Sequence, residues 1–306
     1  MDKSNNKVSN DLLKNEITTK DENTTISENS LTKPLIKWGW VRALLFLGSG
    51  FLVMLVYRPT RDLLISHEGL GSWEYLFYTR NLKLFFFVIS LYLFKKFIDR
   101  DDFKSLGFHL TKESRKHLIV GLVLGITIPV IILLLLSILG SVNYQGFDYT
   151  NSQLYYLIGL MLTVAFFEEL VFRFYYLQSL MDSMNKYVAL AIMSIAFALI
   201  HADNLGANVL NILNVFLAGL IFGLYYIHKK NVWFPIAFHF TWNLTEGVII
   251  GSAVSGTKMP SFFQFEFTGN EILSGGAFGF EGSIFATILL LVPVVYIQLK
   301  YSKRES

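Results

Sequence analysis

The chain contains no cysteine. Disulfides, a thiol nucleophile and any cysteine-ligated metal are thereby excluded. Charge is scarce as well: Asp, Glu, Lys and Arg make up 16% of the 306 residues, against about 25% in soluble domains. The net charge of +3 is too small to hold nucleic acid. What fills the chain instead is apolar: 53% hydrophobic residues, 16% aromatic, and a mean hydropathy of +0.47. These values describe an integral membrane protein whose first partner is the lipid bilayer.

Residues 1–35 are rich in Asn, Ser, Thr, Lys, Asp and Glu. Such a stretch buries too little apolar surface to fold, so a disordered polar tail is expected. It is not read as a signal peptide, because the first apolar run begins near Trp38. About 20 apolar residues cross a bilayer as a helix. On that measure eight runs stand out, near 38–57, 82–98, 117–140, 153–175, 187–201, 206–227, 233–251 and 283–299. The expected class is all-α, a polytopic bundle of about eight transmembrane helices. Two N-terminal helices and a basic loop occupy 36–116, and the main domain occupies 117–300. With a cytoplasmic N-terminus, nineteen Lys and Arg fall in inside segments and five in outside loops. That asymmetry predicts a multi-pass protein of the cell membrane with both termini cytoplasmic. The segment 252–282 is then the long outer loop, lying on or dipping into the membrane surface.

One run carries charge where lipid would exclude it: "FFEELVFR", residues 166–173. Each such charge costs roughly 2.5–3.5 kcal/mol at a bilayer centre on insertion scales. Glu169 and Arg173 are four apart, share a helical face and can neutralise each other. Glu168 is rotated about 100° away, so it needs a partner from another helix, a water or a metal. A structural ion-pair network is the plain alternative to a functional site. Two further polar positions enter apolar runs. "IAFALIHA" ends in His201, with Phe197 one turn earlier to pack on its ring. "PIAFHFTWN" places His239 and Asn243 on one face. The fourth run reads as helical from Gln153 to about Met184, longer than a bilayer is thick. It should protrude into the cytoplasm, which lets His201 reach mid-depth and predicts a shared cavity open toward the cytoplasmic half.

Glu, His, His and Asn together suit amide hydrolysis. Glu168 can take a proton from water and return it to the leaving amine. His201 and His239 with Glu168 can ligate Zn²⁺, leaving a position for water. A metal-free version uses Glu168 and His201 on water, with His239 and Asn243 holding the oxyanion. The sequence leaves both open.

These motifs resemble a family. "EELVFR" is similar to the EExxxR motif of the CPBP (CAAX protease and bacteriocin-processing, Abi) intramembrane metalloproteases. "FALIH" resembles their FxxxH motif, "HFTWN" their HxxxN/D motif, and "AGLIFGLYY" their Gly-containing helix. The resemblance covers about residues 117–300. It implies a CAAX-protease-like bundle of eight helices, an endopeptidase site inside the bilayer, and Glu168, Glu169, Arg173, His201, His239 and Asn243 as its residues. A membrane-associated protein or peptide is the implied substrate. "GAFGFEGS" looks like an element of some members and brings in Glu281.

Other features read as structural. Gly219 and Gly223 form a GxxxG suited to close helix packing. Asn208, Asn211 and Asn214 recur every three residues, either lining the cavity or facing the outer interface. His228 with Lys229 and Lys230 reads as a loop anchor. Two other functions compete: a catalytically idle scaffold or immunity protein, and a proton-coupled transporter. The intact Glu168, His201, His239 set weighs against the first. The lack of a visible inverted repeat weighs against the second.

Overall fold

The computed structural model describes residues 33–109 and 111–302; the tail expected at 1–35 falls almost wholly outside them. Eight helices make up the bundle: α1 Gly39–Leu64, α2 Ser72–Leu93, α3 Lys112–Ile138, α4 Gln153–Met181, α5 Lys186–Leu199, α6 Val209–Lys229, α7 Trp233–Asn243 and α8 Ile284–Ser302. Among the described residues five of them, α1, α3, α4, α6 and α8, are long and apolar enough to cross a membrane. Leu44, Leu45, Phe51, Leu52 and Leu55 on α1 are exposed, as befits a lipid-facing surface. The protein is an all-α polytopic membrane protein.

Helix α4 runs to Met181, close to the predicted end, but not as one α ladder. Residues Leu170–Leu177 within it form a π segment, and α7 passes into another at Leu244–Ile250. Helix α2 starts at Ser72, ten residues before the apolar run that announced it. Its first turns carry Glu74 and Arg80 on an otherwise aromatic stretch, which masks the helix from a hydropathy reading.

The helices are drawn together by close backbone approaches and buried polar ties. A Cβ on Gly121 would stand 2.5 Å from the Phe234 carbonyl oxygen, and one on Gly125 would meet Thr241 Oγ1 and the Phe238 carbonyl. Helices α3 and α7 therefore touch through bare backbone, as small residues permit in lipid. Gly219 and Gly223 face Ser194 and Leu190 of α5 in the same way. Buried Arg42 of α1 pairs with Asp99 at 2.6 Å and with Asp182 at 2.5 Å. That ion cluster marks one end of the bundle, together with the turns at 100–111 and 228–232. The aromatic core lies above it, built around Phe46, Phe174, Tyr175 and Tyr226.

The opposite end carries the one element absent from the sequence reading, a two-stranded antiparallel ribbon of β1 Val142–Phe147 and β2 Phe263–Phe267. Phe263, Phe265 and Phe267 alternate with Gln264 and Glu266, the period-two pattern of a strand. The ribbon fixes the long segment after α7 over the bundle. From this hairpin end α2 and α4 run side by side in the same direction: Trp73 and Glu74 donate their backbone N–H groups to Gln153 at 3.2 Å, and further along Thr163 Oγ1 lies 3.1 Å from Asn81 Oδ1.

Candidate active site

The turn that begins the π segment of α4 places three charges. Glu169 is fully buried, and its Oε1 accepts from Arg173 Nη1 at 2.9 Å. This is the i, i+4 pair expected from the sequence. The same oxygen accepts from His239 Nδ1 of α7 at 3.0 Å. Arg173 is itself buried, and aromatic rings solvate it: its guanidinium carbon lies 4.0 Å from the Phe197 ring centroid and 5.1 Å from that of Phe222. Such contacts offset desolvation of a cation. Phe222 belongs to the "AGLIFGLYY" element and also stacks on the His239 ring at 5.7 Å and 14°.

Glu168 points elsewhere, as its rotation demands. Its side chain keeps 21% of its exposure, against none for Glu169. Water therefore reaches Glu168 and not its neighbour. Glu168 Oε2 stands 3.9 Å from His239 Nε2, so the two ring nitrogens of His239 face two different carboxylates. With Glu169 accepting at Nδ1, the Nε2 edge is the one presented to Glu168 and to the cavity.

His201 follows the end of α5. Its Nδ1 lies 2.7 Å from the Phe197 carbonyl oxygen, and its ring sits 5.0 Å from the Phe197 ring, the packing expected from the one-turn spacing. A donor at Nδ1 leaves Nε2 as a lone pair, free to accept a proton. His201, His239, Asn243 and Ser255 stand between two cavities. The outer one encloses about 940 Å³ and includes Glu168; the inner one encloses about 470 Å³ and includes Glu281. Glu168, His201, His239 and Asn243 thus share one wall-to-wall space, with Glu169 and Arg173 directly behind.

The outer cavity opens differently from expectation. Its walls are Trp73 and Leu76 of α2, Leu160 of α4, Asn204, Thr257 and Met259. All belong to the hairpin end, not to the end that carries the termini. The reason is the segment after α7, which folds back down against the histidines. No hydropathy argument registers that fold.

Three further residues escaped the sequence reading. Glu246, fully buried one turn beyond Asn243, accepts from Trp242 Nε1 at 2.6 Å and from the Phe280 N–H at 2.5 Å. Glu281 accepts from both the N–H and the hydroxyl of Ser255, at 2.9 and 2.6 Å. Asn214 donates to the carbonyls of Glu281 and Ser283 at 2.8 and 2.9 Å. Together they clamp residues 275–283 onto the floor of the site. Gly279 makes the crossing possible, since its φ of +100° and its contact with Ala253 leave no place for a side chain. The signal for Glu246 was present: an ionisable residue in a predicted span. Asn208 and Asn211 have a local role, forming a reciprocal cap at the start of α6.

Could these residues hold zinc? His239 Nδ1 is committed to Glu169, and Glu168 stands 3.9 Å from Nε2. Among the described residues no three His, Asp or Glu side chains converge on a point that a metal ion could occupy. As placed, Glu168, His201 and His239 do not form a zinc site, and no chemical step below is routed through a metal.

Among curated proteins no match to the full chain is found. The segment from the start of α4 to just past Asn243 is a different matter. It contains all six residues singled out above, and these residues, 150–245, match the model of the Rce1-like family, type II CAAX prenyl endopeptidases, a family of proteases.

Proposed function

We propose that the chain is an intramembrane endopeptidase that cleaves a membrane-associated protein or peptide with Glu168-activated water. The observation that carries this reading is the placement of His239 between Glu169 and Glu168, in a cavity shared with His201 and Asn243. Glu168, the water-accessible carboxylate, takes a proton from a water lying between it and His201 Nε2. The resulting hydroxide attacks the scissile carbonyl carbon. His239, protonated at both nitrogens, and the Asn243 amide donate to the oxyanion that forms. Glu168 then passes its proton to the amide nitrogen as the C–N bond breaks, leaving a carboxylic acid and an amine. Glu168, Glu169, Arg173 and an imidazolium at His239 sum to zero charge, which suits a site closed off from bulk water.

Purified chain incubated with quenched-fluorescent apolar peptides tests this directly. Cleavage should survive exhaustive chelation, with no stoichiometric zinc in the active protein. Loss of activity on chelation and its return with zinc would replace the metal-free route by one in which His201 and His239 move together on binding. No cleavage of any membrane peptide by the wild type, under conditions where it is folded, would favour a scaffold.

The excess of Lys and Arg at the end bearing the termini supports an outward-facing hairpin end, and with it substrate entry from the outside. Asn231 is buried and Ser255 is bonded to Glu281, so topology is better probed at exposed positions. Gln264→Cys, at the ribbon, should label with an impermeant maleimide in intact cells; Arg115→Cys, at the start of α3, should label only after lysis. The reverse pattern would place the cavity on the cytoplasmic side.

A further inference from the structure

One wall of the outer cavity comes from outside the matched segment. Trp73, Leu76 and Arg80 of α2 line it opposite Glu168 and the histidines. Their spacing of three and four residues makes them one helical face. Trp73 and Leu76 make that face apolar, whereas Arg80 puts a cation on it. Arg80 is exposed in the mouth of the cavity, and no carboxylate lies within ion-pair distance of it among the described residues. Lys83 follows one turn deeper. Its ammonium rests 5.2 Å from the ring of Phe167 and 5.8 Å from that of Phe87, with no carboxylate in contact. Two cations three residues apart repel each other, and a poorly hydrated setting makes both costly. Glu168, the nearest anion, already faces His239.

We infer that Arg80, backed by Lys83, binds a carboxylate of the substrate while Trp73 and Leu76 receive an apolar side chain beside it. An arginine fork grips a carboxylate through two parallel hydrogen bonds. The inference deepens the peptidase reading and rests on it: the substrate class is an apolar peptide with a free C-terminal carboxylate or an acidic side chain close to the scissile bond.

The full chain, reconstituted in vesicles, is assayed with quenched-fluorescent apolar peptides that differ at one group only: free or amidated C-terminus, and Asp or Asn beside an apolar residue. Vesicles with and without anionic phospholipid are compared. A carboxylate peptide should show a KM lower than its neutral twin by about tenfold, the order expected of a charged hydrogen bond. Arg80→Gln should erase most of that difference and Arg80→Glu should invert it. Whether the preference follows the terminus or the side chain identifies the source. An equal fall in kcat on every peptide would make Arg80 a counter-charge to Glu168 and overturn the inference. So would an effect that tracks the lipid rather than the peptide. Binding of the same peptides to the Glu168→Gln variant, followed by fluorescence anisotropy, separates the two readings. A carboxylate preference that Arg80→Gln abolishes there upholds the subsite even if no peptide is cut, and equal binding of both forms rejects it.

Discussion

Glu168→Gln abolishes peptide cleavage and leaves the melting temperature in detergent unchanged. The glutamine keeps the shape and the water-accessible position of the side chain but cannot take a proton. Loss of a general base costs about 10²–10⁴ in rate, and here the same group also returns the proton to the leaving amine, so the upper part of that range is expected. The fold is indifferent because Glu168 makes no hydrogen bond shorter than its 3.9 Å approach to His239. Rate and melting measured on one preparation decide the matter. A variant that cleaves at the wild-type rate removes Glu168 from the chemistry and leaves His201 as the only candidate base.

Its neighbour behaves in the opposite way. Glu169→Gln lowers the stability itself, because Arg173 is then a buried cation with no counter-charge. Removing one partner of a buried ion pair costs about 3–5 kcal/mol. Here the loss falls at the upper end, since Glu169 Oε1 ties together α4 and α7 by accepting from both Arg173 and His239. The double variant Glu169→Gln, Arg173→Met should recover much of the melting temperature without recovering activity, as the apolar side chain fits between Phe197 and Phe222. If the double variant melts lower than the single one, the pairing of Glu169 with Arg173 is not what Glu169 contributes.

The sequence spoke clearly about interactions that lie within one turn. Glu169 with Arg173 and Phe197 with His201 follow from helical spacing, and both are found as expected. Joining those turns across helices rested on the order of four motifs and not on any physical pattern, because nothing in composition says which face of α5 meets which face of α7. The direction in which the cavity opens was misread. Depth counting treated 252–282 as a loop resting on the membrane surface, whereas the ribbon and the clamp of Glu246, Glu281 and Asn214 bring it down onto the histidines. Those contacts join residues 26–73 positions apart in the chain, and no local period encodes them. The Trp73–Arg80 wall stayed hidden for a simpler reason: the hydropathy threshold that finds lipid-facing helices discards amphipathic turns, and a wall facing a polar cavity is amphipathic.

The π segment Leu170–Leu177 makes chain length itself part of the site. A π turn takes up one residue more than an α turn, so this stretch behaves as an α-helix carrying a single-residue insertion. Deleting one residue there would let the ladder close as regular α, but everything beyond the deletion would swing by about 100° relative to Glu168 and Glu169. Tyr175 and Leu177, now in the core, would leave it, or else the two glutamates would turn away from His239. The stretch should therefore tolerate exchange of one apolar side chain for another far better than loss of any one position. The register between the catalytic carboxylate and the end of α4 is as much constrained as the residues themselves.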